Sequence, residues 1–154
     1  MARKKPHHKR VRQEMNEPGS GSLAVGYICY GSQLSSPASF EVQKQCITVL
    51  AEKKGWKIVH WYEEPGHNAV YESVEQRPLL AQLLRDAESQ FQVGICFTAA
   101  YWSRRMNVAY PLFDELQRLG VWWATADERW DTYKVVHEGT DIVYASSPSQ
   151  KNAL

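Results

Sequence analysis

The chain has 154 residues, of which 44% are apolar and 12% aromatic, enough for one folded domain with its own core. This composition excludes a generally disordered protein, and no apolar run approaches the roughly 18 residues of a membrane-spanning helix. The formal net charge of +1 conceals an asymmetry, because six of the 18 Lys and Arg residues lie in residues 1–12, which contain no acid. The rest of the chain therefore carries 12 bases against 17 acids.

The basic residues of this N-terminal arm are Arg3, Lys4, Lys5, Lys9, Arg10 and Arg12. A basic arm on an acidic body predicts contact with DNA or another polyanion, and the alternative is a tail that only improves solubility. Residues 1–22 end in EPGSGS and show no periodicity, which predicts a flexible arm and linker. No apolar stretch follows the basic residues, so they do not form a secretory signal, and we expect a cytoplasmic protein with no membrane partner.

Apolar segments and amphipathic segments alternate along residues 23–145, which we predict to be one domain. The predicted strands are AVGYICY at 24–30, WKIVHWYEE at 56–64, FQVGICFTAA at 91–100 and VWWATA at 121–126, with a weaker candidate at 141–145. Helices are predicted to begin at Ser39, at Pro78 and near Tyr110, and Gly55 and Gly120 are predicted to end the first and the third. The apolar positions of the first helix are Val42, Cys46, Val49 and Leu50.

This alternation predicts an α/β fold, with a parallel-type sheet of about four to five strands and helices on both faces. Residues 146–154 are expected to be a frayed tail. The loop between the first strand and the helix that begins at Ser39 is rich in Gly, Ser and Pro. Because the first amide groups of a helix are free, this loop and helix start favour an anion-binding corner at the carboxyl end of the strand.

Six short motifs, in order and at the right spacing, resemble the catalytic domain of the serine recombinases (resolvases and invertases). The motifs are GYICYGS, SFEVQ, YEEPG, RPLLAQLLRDAES, YWSRR and LGVWWATADERWDT, and they span about residues 24–132. The resemblance implies a resolvase-type fold and phosphoryl transfer on DNA, in which a serine attacks the backbone phosphate. Arginines stabilise the charge of the transition state in such a reaction. We expect no cofactor.

Position by position, the resemblance places several catalytic roles on unsuitable residues. The strand-one arginine falls on Cys29, and the nucleophilic serine falls on Gly31, with Ser32 one place along. The first arginine of the family's D-R-L-x-R loop falls on Tyr101, and only the second arginine is matched, by Arg104. Ser32 and Arg104 are therefore the candidate catalytic residues.

Scaffold positions match better, because Gln43 corresponds to a helix-one glutamine and Glu64 stands where an aspartate is usual. This combination predicts a resolvase-type recombinase domain that is catalytically inactive and acts as a binding or accessory protein. Its partner would be a second copy, an active recombinase or a larger recombinase assembly. Two alternatives stay open. One is an active serine recombinase or nuclease that uses Ser32 and Arg104 with help from a partner chain, and the other is a nucleic-acid-binding structural protein that acts through the basic arm.

Other chemistry-bearing residues are predicted to be structural. A candidate set of metal ligands consists of His60, His67, Glu63 and Glu64, but nothing else in the chain completes it, so no metal site is predicted. The three cysteines, predicted to be buried free thiols in a reducing compartment, are Cys29, Cys46 and Cys96.

The tryptophans of the last predicted strand are expected to differ in environment. Trp122 and Trp123 point to opposite sides of the strand, which predicts that one lies in the core and the other at an interface. Trp102 lies in a predicted loop and is the better candidate for stacking on a base or a partner.

Overall fold

The computed structural model describes residues 15–29, 39–64, 74–87, 89–99 and 106–133. Within these ranges the elements are β1 (Leu23–Cys29), α1 (Phe40–Lys54), β2 (Lys57–Glu64), α2 (Pro78–Asp86), β3 (Val93–Cys96), α3 (Met106–Arg118) and β4 (Trp122–Thr125). A 3-10 turn, Val74–Gln76, precedes α2. The four strands are parallel in the order β2-β1-β3-β4, which confirms the predicted α/β sheet. The candidate strand at 141–145 and the tail at 146–154 lie outside the described residues.

Helices cover both faces of the sheet, as predicted. Ile47 of α1 packs on one face against Ile28 of β1. Leu83 of α2, Leu116 of α3 and Tyr27 of β1 belong to the core layer on the other face. The short strands β3 and β4 are buried along their whole length, which explains why their sequences, VGIC and WWAT, do not alternate between apolar and polar residues. None of the helices in the described part of the chain has the length and apolar character needed to cross a bilayer.

The helix ends follow the local sequence. Ser39 caps α1, and its Oγ accepts a hydrogen bond from the amide of Val42 at 3.2 Å. Gly55 ends α1 in the left-handed conformation, with φ of 72°, and Gly120 follows α3 with φ of 73°. Pro78 lies in the first turn of α2. These predicted boundaries are confirmed.

The apolar face predicted for α1 is right at Leu50 and wrong at Val42 and Val49. The residues that α1 buries are Gln43, Ile47, Leu50 and Ala51, whereas Val42 and Val49 are 45% and 59% exposed. These residues are three or four positions apart and therefore lie on one face of the helix. The first residue of the face that packs on the sheet, Gln43, is polar. Apolarity alone therefore pointed to the neighbouring stripe, which is largely exposed.

The two tryptophans of β4 do lie on opposite faces, but both belong to the core. Trp122 is 2% exposed in the layer beneath α1, and Trp123 is 1% exposed in the layer beneath α2 and α3. The predicted interfacial tryptophan is therefore wrong, because each face of this strand is covered by a helix. Trp102 lies outside the described residues.

The end of the predicted flexible linker is attached to the domain. Gly21 donates its amide hydrogen to the carbonyl of Gly55 at 2.7 Å, and the indole of Trp56 donates to the carbonyl of Pro18 at 2.9 Å. Glu17 forms an ion pair with Lys54 at 2.7 Å. Residues 15–22 are thus held against the C-terminal end of α1, while residues 1–14 lie outside the described part of the chain.

Candidate functional site

The carboxyl ends of three neighbouring strands meet at one edge of the sheet. Cys29 ends β1, Glu64 ends β2 and Cys96 ends β3, and all three side chains are buried. The strands are parallel, so their carboxyl ends lie side by side, which is the usual place for ligands and catalysis in open α/β sheets. We refer to this region as the strand-end corner.

Glu64 accepts three hydrogen bonds in the strand-end corner. Its side chain is 1% exposed, and its Oε2 accepts a hydrogen bond from the hydroxyl of Tyr27. Oε1 accepts from the amide of Leu79 at 2.8 Å, and Oε2 accepts from the amide of Leu80 at 3.3 Å. These amides belong to the first turn of α2, so Glu64 caps this helix from a neighbouring strand.

Arg77 places a positive charge in the same region. It directly precedes α2 and is fully buried. Burial is the main reason why the pKa of Tyr27 lies well above its usual value, and the neighbouring Cys29 raises it further. The carboxylate of Glu64, which accepts the hydrogen bond of this phenol, raises the pKa of Tyr27, whereas Arg77 lowers it. Burial also raises the pKa of Cys96, and the neighbouring Trp123 offsets this more than the charge of Arg77 does.

The elevated pKa of Cys96 makes its thiol a poor nucleophile. Thiols react as thiolates, and burial holds this one in the neutral form. Its Sγ also donates to the carbonyl of Thr98 at 3.3 Å. The thiol is therefore part of the packed interior rather than a reactive group.

Gln43 connects α1 to the end of β1. Its side chain is fully buried, and its Nε2 donates a hydrogen bond to the carbonyl of Cys29 at 3.2 Å. The two scaffold positions that the sequence indicates, Gln43 and Glu64, thus lie at the same edge of the sheet. They approach it from opposite faces, since Gln43 belongs to α1 and Glu64 contacts α2.

Most of the predicted site residues lie outside the described ranges. This applies to Ser32, Arg104, Gly31 and Tyr101, and to the basic arm residues Arg3, Lys4, Lys5, Lys9, Arg10 and Arg12. Cys29 is described, and it is fully buried in the layer that contains Tyr27 and Leu80. The position that the resemblance assigns to an arginine is thus an enclosed, mostly apolar environment.

Arg77 is the residue of the strand-end corner that the sequence does not indicate. It belongs to the RPLL motif, in which the proline predicts a helix start. The sequence assigns no separate role to the arginine before this proline. Nothing in the spacing indicates that this arginine is buried. Its proximity to Glu64 could be predicted only by knowing that β2 ends beside the start of α2.

The three candidate metal ligands that the structure describes, His60, Glu63 and Glu64, do not converge. Glu63 pairs with Lys44 of α1, whereas Glu64 points to the α2 side of the sheet. His60 is exposed, and the centroid of its ring lies 4.5 Å from that of Tyr62 in an edge-to-face arrangement. Across the described ranges, no group of three His, Cys, Asp or Glu side chains is placed to hold a metal ion. His67 lies outside these ranges.

A family model described as the resolvase N-terminal domain matches residues 24–141. The chain belongs to this resolvase family. Apart from Leu23, the matched range includes all four strands, and it includes the whole strand-end corner. A search of curated protein sequences finds no match.

Three solved structures share the fold. The N-terminal catalytic domain of TP901-1 integrase is 17% identical, with a TM-score of 0.63 over 84% of this chain and 95% of that one. A resolvase family site-specific recombinase from Streptococcus pneumoniae is 15% identical, with a TM-score of 0.62 over 86% and 90% of the two chains. The C-terminal catalytic domain of ISC1926 TnpA, an IS607-like serine recombinase, is 20% identical, with a TM-score of 0.55 over 68% and 67%.

Proposed function

We propose that this resolvase-family domain does not cleave DNA and serves as a binding or accessory protein. The observation that carries the proposal is the environment of Cys29. By resemblance this position belongs to an arginine of the reaction, yet its side chain is a thiol, fully buried and surrounded by core residues.

The chemistry of phosphoryl transfer explains why this substitution matters. Negative charge develops on the phosphate oxygens, and planar guanidinium groups stabilise it in the transition state. Removing one such group typically costs a factor of about 10²–10³ in rate. The resemblance also places Gly31 at the nucleophile, so the nearest serine hydroxyl is that of Ser32, one residue further on.

A covalent adduct assay tests the proposal. Full-length protein is incubated with supercoiled plasmid, the reaction is stopped with denaturant, and protein covalently attached to DNA is measured. We expect no adduct and no change in plasmid topology. An adduct that disappears in Ser32→Ala would overturn the proposal and establish the active-recombinase alternative. In that case Arg104→Ala should reduce the adduct strongly, with Arg105→Ala as the neighbouring control.

The charge distribution supports DNA or another polyanion as a binding partner. Six basic residues within residues 1–12 precede a body in which acids outnumber bases. The arm would supply attraction to phosphates without sequence specificity, while the domain would dock onto a second copy, an active recombinase or a larger recombinase assembly. Size measurements on the purified chain, alone and with a resolvase-family recombinase, test the docking role.

A further inference from the structure

A cavity of about 150 Å³ lies beside β4, on the face of the sheet that α1 covers. Its apolar walls include Leu50, Trp56, Trp122 and Trp130. Cavities of about this size hold molecules as large as benzene. A guanidinium group is smaller than benzene, so the end of an arginine side chain can enter. We refer to this space as the β4 cavity.

Acidic side chains give the β4 cavity its charge. Glu17, Glu128 and Asp131 line it, against one base, Lys54. Lys54 pairs with Glu17 at 2.7 Å, and Lys53, from outside the lining, pairs with Glu128 at 2.8 Å. The three acids still outnumber these two bases. Tryptophan rings and carboxylates both attract organic cations, and a guanidinium group can stack on the first and pair with the second.

Two buried hydrogen-bond donors belong to the same lining. Trp122 and Trp130 are each 2% exposed, and their indole nitrogens have no hydrogen-bond partner among the described residues. Buried polar groups are normally paired, so these donors favour an occupant that brings acceptors. A bare cation brings none, whereas a peptide segment has backbone carbonyls as well as a cationic side chain.

The basic N-terminal arm begins beside the β4 cavity. Met15 packs against the core layer beneath α1, and Glu17 belongs to the cavity lining. The carbonyl of Pro18 accepts the indole hydrogen of Trp56, another lining residue. Arg12 precedes Met15 by three residues, a span of at most about 10 Å in an extended chain. A segment tethered this closely has an effective concentration on the order of millimolar, so weak contacts are enough to hold it.

We propose that the β4 cavity binds an arginine side chain of the chain's own N-terminal arm, Arg10 or Arg12. The carboxylates of the lining pair with the guanidinium group, and the tryptophans surround it. The functional meaning rests on the proposed binding of a polyanion by the arm, because DNA and the cavity then compete for the same arginines. Occupancy of the cavity is tested without DNA.

Nuclear magnetic resonance of the full-length chain tests the occupancy. The indole N–H signals of Trp122 and Trp130 are compared between the wild type and the double variant Arg10→Gln, Arg12→Gln. We expect these signals to shift in the double variant, equally at low and at high protein concentration, because the contact is made within one chain. A synthetic peptide of residues 1–14, added to the double variant, should return the signals toward their wild-type positions and saturate. The same peptide carrying both substitutions should have no effect.

Two acid variants, made in the double-variant background, separate the cavity from the general negative charge of the body. Glu128→Gln removes a carboxylate of the lining and should weaken peptide binding about fivefold, as expected for a partly exposed ion pair. Glu115→Gln is the matched control, because Glu115 pairs with Arg118 on α3, lies outside the lining and is 41% exposed in its side chain against 47% for Glu128. It should leave peptide binding unchanged.

The outcomes decide the proposal. Coincident signals in the wild type and the double variant would overturn the assignment of the arm, and a shift seen only at high protein concentration would overturn binding within one chain. Equal effects of Glu128→Gln and Glu115→Gln would overturn the assignment of the cavity. Adding a random-sequence DNA duplex to the wild type should move the signals to their double-variant positions. Signals that do not respond to DNA would contradict polyanion binding by the arm and leave the peptide measurements intact, so the two failures are distinguishable.

Discussion

At the scale of single residues, two glycines allow tryptophans to lie flat across the sheet. Gly26 of β1 lies beneath the ring of Trp61 on β2, and Gly94 of β3 lies beneath the ring of Trp123 on β4. A β-carbon at either position would overlap the indole ring. The side chain of Trp61 has more room to move than that of Trp123, because Trp61 is half-buried whereas Trp123 is only 1% exposed.

This difference predicts unequal costs for the same substitution. Gly94→Ala should lower the free energy of unfolding by about 1–3 kcal/mol or more, because Trp123 is enclosed and its displacement disturbs the core. Gly26→Ala should cost less, because Trp61 can move toward solvent. Urea denaturation of both variants provides the comparison. An equal or larger loss in Gly26→Ala would contradict this account of the packing.

At the scale of secondary-structure elements, the two edges of the sheet are protected in different ways. The strand β4 is covered by the segment that follows it, since Thr125 donates its amide hydrogen to the carbonyl of Trp130 and Ala124 forms an antiparallel bridge with Asp131. The strand β2 shows a register shift against β1 next to its exposed residues Val59 and His60. Such irregularities and polar side chains discourage pairing with another sheet.

Thr132 also bonds to the covered edge of β4, and this contact predicts how substitutions of Thr132 affect stability. Its buried Oγ1 accepts a hydrogen bond from the amide of Trp123 at 2.7 Å. Thr132→Val keeps the shape but leaves that amide without its acceptor, so we expect a loss of about 1–3 kcal/mol in the free energy of unfolding. Thr132→Ser keeps the hydroxyl and should lose less. Hydrogen exchange at the Trp123 amide should accelerate in the valine variant alone, and unchanged protection there would refute the assigned role.

At the scale of the whole molecule, the sequence predicted the order of elements better than the contents of the site. Strand and helix order followed from apolar runs separated by Gly, Pro and Ser39, all of which act locally. The buried face of α1 could not be predicted from the local sequence. Gln43 points inward and Val49 points outward because of how α1 packs on the sheet beneath it. The proximity of Glu64 and Arg77 likewise depends on how β2 and α2 pack, which no local pattern encodes.

The charge asymmetry of the whole chain leads to a prediction about nucleic-acid binding. If the arm binds DNA, affinity for a random-sequence duplex should fall steeply with salt, and deleting residues 1–12 should remove most of it. The slope of log K against log salt should fall by roughly 0.9 for each phosphate that the arm no longer neutralises, so by as much as about 5 if all six basic residues take part. A full-length variant with these six residues changed to Gln separates charge from length and should behave like the deletion. Fluorescence anisotropy at several salt concentrations gives the slopes, and affinity that survives both changes would show that DNA binds to the body, whose acids outnumber its bases.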